Sequence, residues 1–161
     1  MTDFGWAAAW DGYDEHEATL MRIADEAEAV AWCEVRYGRD GSGFLEGGLG
    51  GLSPADQAAL EDETLTTALV TAMGEAFRQG VRGYAQDIVL QGEPWAFDTS
   101  AIVAPVWILH GEADTLVPVA HARQTAEMIP RARLLILPDD GHISLVSEIP
   151  NLATDLVSGL R

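Results

Sequence analysis

Two short apolar runs in the C-terminal half organise the reading of this chain. Val106-Trp107-Ile108-Leu109 and Leu134-Leu135-Ile136-Leu137 are unbroken by polar residues, and each runs into a polar loop. Unbroken apolar character over so short a length predicts buried strands rather than strands with one wet face. Residues 118 to 129 lie between them and read as a helix, with Pro118 at its start and Pro130 at its end. A strand-helix-strand unit with a right-handed crossover makes the two strands parallel. The loops that follow the strands then lie on one edge of the sheet, where open α/β sheets keep their ligands. Pro150 can open a last helix presenting Leu152, Leu156, Val157 and Leu160.

The N-terminal half has a helical rather than a strand period. Trp6, Trp10 and Tyr13 share one face if helical, and Leu20, Ile23, Ala27, Val30 and Ala31 continue at spacings of three and four. Asp25, Glu26, Glu28 and Glu34 fall mainly on the other side. The pattern predicts one amphipathic acidic helix from about 14 to 37, ended by Gly38. Seven glycines between 38 and 51 then make a flexible loop or hinge. That loop lacks the preceding strand and the Gly-Lys-Ser/Thr of a phosphate cradle. Ser53-Pro54-Ala55-Asp56 starts a further helix: Ser53 can cap, Pro54 suits the first helical position, and Asp56 suits the positive end of the dipole. Leu65, Leu69, Met73 and Phe77 recur every four residues and make a packing stripe, and Gly80 and Gly83 weaken the helix near its end. The chain therefore divides near residue 100, helical before and α/β after.

Charge and cysteine usage narrow the functional classes. A net charge of -17 on 161 residues argues against nucleic acid and against an anionic membrane surface, both of which need Lys and Arg. No apolar run approaches the ~20 residues of a membrane-spanning helix. The N-terminus lacks the pattern of a signal peptide, and Cys33 has no partner for an internal disulfide. A cytoplasmic setting is the expectation. Cys33 itself reads as a buried structural thiol.

The polar loops after the two strands hold the candidate chemistry. Asp114 follows the first and His142 the second, 28 positions apart. A histidine that works as a general base needs its other ring nitrogen held by a carboxylate, which fixes the tautomer and stabilises the imidazolium. Gly111 and Gly141 are expected to allow the tight turns that aim the two side chains. Either residue alone could be ordinary: Asp114 as a cap for the next helix, His142 as a loop residue. His110 reads as a strand-end core histidine and His121 as exposed. His16, among Asp14, Glu15 and Glu17, is a weak metal signal, and no metal or cofactor is expected.

Pro105-Val-Trp-Ile-Leu-His-Gly-Glu-Ala-Asp114-Thr-Leu-Val-Pro118, followed by Gly141-His-Ile-Ser-Leu145, resembles the C-terminal third of an α/β-hydrolase, closely over residues 94 to 146. The segment from Ser53 through Trp95 and Phe97 is similar to the caps of bacterial hydrolases of the proline iminopeptidase and epoxide hydrolase type. The resemblance implies a partial α/β-hydrolase fold: a helical cap over 1–98, then a core portion over 99–161 with two parallel strands. It implies hydrolysis of an ester, amide or related bond of a small molecule, with Asp114 as triad acid and His142 as base. Trp6, Trp10, Leu69, Met73 and Phe77 are candidates for an apolar substrate lining between cap and catalytic loops.

The family's nucleophile precedes the cap, on a Gly-x-Ser-x-Gly turn. None of the six serines of this chain sits in that motif. Three accounts follow. The chain is the cap and C-terminal part of a serine hydrolase whose nucleophile comes from elsewhere, or a non-catalytic fold remnant acting as a dimeric binding module, or a hydrolase in which the pair activates water directly. The third lacks oxyanion donors, often the largest catalytic contribution. Two parallel strands also leave an apolar edge unpaired, so a homo-oligomer or a missing N-terminal half is the expected partner.

Overall fold

The computed structural model describes residues 12–13, 15–44, 51–91 and 97–159. Seven α-helices and two strands are defined among them: α1 Glu15–Leu20, α2 Glu26–Tyr37, α3 Pro54–Ala59, α4 Glu63–Ala76, α5 Arg82–Gln91, β1 Val106–Gly111, α6 Val119–Met128, β2 Ala132–Leu137 and α7 Ile149–Gly159. Short 3-10 turns at Thr99–Ala101 and Ser144–Glu148 precede β1 and α7. Trp6, Trp10, Trp95 and the glycines at 47, 48 and 50 lie outside the described residues.

The chain forms two compact units. The first comprises Met1–Gly51 and Glu63–Ala96, the second Leu52–Asp62 and Phe97–Arg161. The segment carrying α3 thus belongs with the strands, although the residues before and after it in sequence belong to the first unit.

In the first unit α2 packs on α5. Leu20, Ala29, Cys33, Tyr37, Phe77, Val81, Ala85 and Ile88 form its core. Tyr37, Phe44, Phe77 and Tyr84 meet there as a ring cluster, with centroids 5.1 to 5.9 Å apart. Such tilted and edge-on pairs add to simple burial because the ring edge faces a neighbour's π-cloud. Cys33 is a core residue as expected, and burial pushes its thiol up to about 11. It is an inert packing group at neutral pH.

The single helix expected from 14 to 37 is two helices. Asp25 is extended and accepts the Glu28 N–H on its carboxylate at 2.9 Å, so it starts α2 as an N-cap. The apolar spacing runs through this break unchanged, which is why periodicity alone missed it. Gly38 ends α2 as expected, at φ 78°, a conformation that suits a residue without Cβ.

The helix that starts at Ser53 is also shorter than the apolar stripe after it. α3 ends at Ala59, and Leu65, Leu69 and Met73 lie on the separate α4. Ser53 does cap α3, its Oγ accepting the Asp56 N–H at 3.2 Å.

The second unit bears out the strand-helix-strand reading. β1 and β2 pair in parallel, Val106 opposite Ala132 through Gly111 opposite Leu137, and α6 packs on both. One expectation fails. β1 is half-buried from Val106 to His110, and Leu135 on β2 is 45% exposed. Each strand has one hydrogen-bonded neighbour among the described residues. The apolar runs are therefore those of a sheet interior, but the described sheet is only two strands wide.

Candidate active site

Asp114 and His142 meet at the C-terminal edge of this sheet. The chain leaves β1 at Gly111 and turns at once, the Asp114 N–H donating to Gly111 O at 3.2 Å. The loop after β2 is laced to it: Glu112 N–H donates to Leu137 O at 2.9 Å, and Ala113 N–H to Asp140 O at 3.0 Å. Two loops 28 residues apart in sequence thus become one frame.

Gly111 and Gly141 matter here, but not through left-handed backbone: neither has a positive φ. A Cβ on Gly111 would collide with the backbone carbonyls of Asp140 and Gly141. One on Gly141 would collide with the Asp56 carboxylate and the Ser53 hydroxyl. Both glycines are required by close approach, a different reason from the turn conformation expected of them.

The two oxygens of Asp114 have separate tasks. Oδ1 accepts the Leu116 and Val117 N–H groups at 2.8 and 2.9 Å. Oδ2 lies 3.0 Å from His142 Nδ1. The capping reading and the dyad reading are therefore both realised, by different atoms of one carboxylate. The Asp114 side chain is 2% exposed, and that of His142 is 45% exposed. Burial pushes the Asp114 pKa up, but the hydrogen bonds from His142, Val117 and Leu116 and the charge of His142 outweigh it. The carboxyl is held below the ordinary aspartate range and is ionised at neutral pH. An ionised partner at 3.0 Å requires a proton on Nδ1, which leaves Nε2 of a neutral ring as the acceptor.

His110 lies beneath this pair. Its side chain is 12% exposed, its Nε2 is 3.1 Å from Val117 O and 3.6 Å from Asp114 Oδ2. It stands at the end of β1 as a packed histidine, as expected, and it adds a second ring to the surroundings of the carboxylate.

Asp56 is the residue that sequence reasoning missed. It is fully buried. Its Oδ2 accepts the His142 N–H at 3.0 Å, and its Oδ1 accepts those of Ile143 and Ser144 at 2.7 and 2.9 Å. Ser144 Oγ in turn accepts the Gly141 N–H at 2.8 Å. Burial raises the Asp56 pKa, but the backbone donors of Ser144, His142 and Ile143 and the Ser53 hydroxyl lower it further, so its carboxyl also lies below the usual range. The available signal was the Ser-Pro-Ala-Asp helix start, which capping and the helix dipole already explain. Nothing in the sequence paired it with a loop 86 positions away.

The other candidates are placed as follows. Phe77 is in the core of the first unit, Met73 packs against that core, and Leu69 is half-buried on α4. An open cleft of about 600 Å³ in the same unit is lined by His16, Ile23, Trp32 and Val35 among others, and by none of those three. His16 is exposed, and His121 is half-buried rather than exposed. No group of three or more His, Cys, Asp or Glu side chains among the described residues could hold a metal ion. No described helix is long and apolar enough to cross a membrane.

No protein-family model matches the chain. A curated relative, a non-heme haloperoxidase of Rhodococcus erythropolis and an α/β-hydrolase, is 27% identical over 90 residues, 55% of this chain. The chain is a distant and partial relative of the α/β-hydrolases. It spans 31% of that haloperoxidase's length. A solved hydrolase from Pseudomonas aeruginosa aligns with 95% of this chain and 49% of its own at 25% identity, with a TM-score of 0.48.

Proposed function

We infer that Asp114 and His142 are the acid and base of a hydrolase of the Ser-His-Asp type, acting on an ester, amide or related bond of a small molecule. The observation that carries this reading is the 3.0 Å Nδ1–Oδ2 contact between a buried, ionised carboxylate and a ring 45% exposed. In such a site Nε2 takes the proton of an attacking hydroxyl and later returns it to the leaving group. Asp114 keeps the Nδ1 proton in place and stabilises the imidazolium. Resemblance to the α/β-hydrolases supplies the reaction class.

The nucleophile belongs to a segment other than residues 1–161, which contain no Gly-x-Ser-x-Gly. That segment would also bring the oxyanion donors. The edge of the two-stranded sheet that is unpaired among the described residues suits its docking, because an apolar parallel pair left open is a template for further strands. The helices of 1–98 other than α3 would serve as the cap. A second reading, a dimeric binding module without catalysis, is favoured by the same open edge and by the missing elbow.

Expression of the source gene with its upstream sequence tests the first reading. The product should hydrolyse short-chain p-nitrophenyl esters and react with a fluorophosphonate at a serine outside residues 1–161. His142→Ala should abolish labelling. A folded product that neither hydrolyses nor labels supports the binding module instead.

A further inference from the structure

We propose that Asp56 is a positioning residue for His142, a carboxylate clamp that sets the ring's direction by gripping its backbone. The inference rests on the hydrolase reading for its catalytic meaning, but its geometry stands apart from it. A carboxylate with no exposed surface is costly to bury unless its lone pairs are filled. Here the donors come from three consecutive residues, His142, Ile143 and Ser144, the last two opening the short 3-10 turn Ser144–Glu148, whose N-cap Ile143 makes no side-chain cap of its own. The Cα of His142 is therefore fixed within one hydrogen bond of Asp56, on one side, and within one of Asp114, through the ring, on the other.

The packing excludes alternatives at both ends of the clamp. Ser53 Oγ holds the Asp56 backbone, and Gly141 must lack a Cβ because the Asp56 carboxylate and the Ser53 hydroxyl already fill that space. The chain thus commits a serine, an aspartate and a glycine to the approach of α3 and the His142 loop. Asp114 selects the protonated ring nitrogen only while the ring lies against its Oδ2. Asp56 fixes where the ring can be, and hence where Nε2 is presented. An exposed ring on a loop needs such a hold: loss of about 1 Å in placement can lower turnover roughly a hundredfold.

Asp56→Asn gives a directed test, because the two oxygens are not equivalent. If the amide nitrogen replaces Oδ2, its N–H groups face the His142 N–H donor to donor. If it replaces Oδ1, they face the donors of Ile143 and Ser144. The chain as it stands, ¹⁵N-labelled, is compared with D56N by histidine-ring and amide NMR, with His142→Gln assigning the ring signals. In the native sequence His142 should show a single Nδ1–H tautomer and a slowly exchanging Nδ1 proton. In D56N the ring should average over both tautomers, and Nδ1–H exchange should rise about tenfold or more, with circular dichroism unchanged. A D56N chain that keeps the single tautomer, with exchange within about twofold, overturns the proposal.

If D56N does not fold, the native chain decides by hydrogen exchange at rising urea. The Nδ1 proton of His142 should never outlast protection of the amides of residues 142 to 144. A ring proton that stays protected after those amides have opened overturns the proposal. Neither readout uses hydrolysis, so a failure of the clamp and a failure of the hydrolase reading give different results. No ester turnover with a fixed, Asp56-dependent ring removes the second alone.

Discussion

At the scale of single residues, the site depends on two buried carboxylates that hold one exposed histidine from opposite ends. Asp114 acts on the ring and Asp56 on the backbone. Asp114→Asn keeps the shape but can donate from the atom that should accept, which favours the wrong tautomer. In triad enzymes that change lowers turnover by about four orders of magnitude, and the same order is expected for ester hydrolysis here. Both carboxyls have folded pKa values below the unfolded aspartate value of about 3.9. Stability from such groups is fully present above that value and is lost as pH falls through the folded pKa. The urea midpoint should therefore hold from neutral pH down to about 4 and fall below it, and D56N should fall less steeply. A midpoint with no acid dependence below that pH would contradict the assignment. Asp114 and His142 were legible in sequence because each follows an apolar run. Asp56 was not, since its partners are three backbone N–H groups, and a backbone donor leaves no mark in the residue alphabet.

At the scale of elements, capping and close approach decide where the chain turns. Asp25 divides the acidic N-terminal helix, and Asp25→Ala should destabilise the first unit by about 1 kcal/mol, read from thermal melting, with the site's NMR signals unmoved. Gly141→Ala acts oppositely. Its Cβ would enter the volume of Asp56 and Ser53, so it should cost about 1–3 kcal/mol by overpacking and also shift the His142 ring resonances. If it shifts neither, the clamp is looser than the geometry states. The strand-helix-strand unit was readable to within a residue or two, because Pro118 and Pro130 bracket α6 and the apolar runs coincide with β1 and β2. The break at Asp25 was hidden by apolar residues that keep helical spacing across it. The grouping of α3 with the strands had no sequence signal, because a short capped helix does not state its neighbours.

At the scale of the whole molecule, the two apolar strands have less cover from the described residues than their composition suits. Val106 to Leu109 has the composition of an interior strand, yet among the described residues it lies half-buried beside a single neighbour. The misjudged burial of β1 has this origin: composition records the surroundings a strand is suited to, whether or not residues 1–161 supply them. An apolar edge of this kind should draw a partner. Sedimentation at micromolar concentration is expected to give a mass above the 17.3 kDa of one chain, and a monodisperse monomer would count against that. The most direct test of the central claim is ester hydrolysis by the source gene's product, expressed with its upstream sequence, before and after His142→Ala. The account predicts turnover that His142→Ala lowers by about three to four orders of magnitude. Turnover untouched by His142→Ala, or none in a folded product, would contradict it.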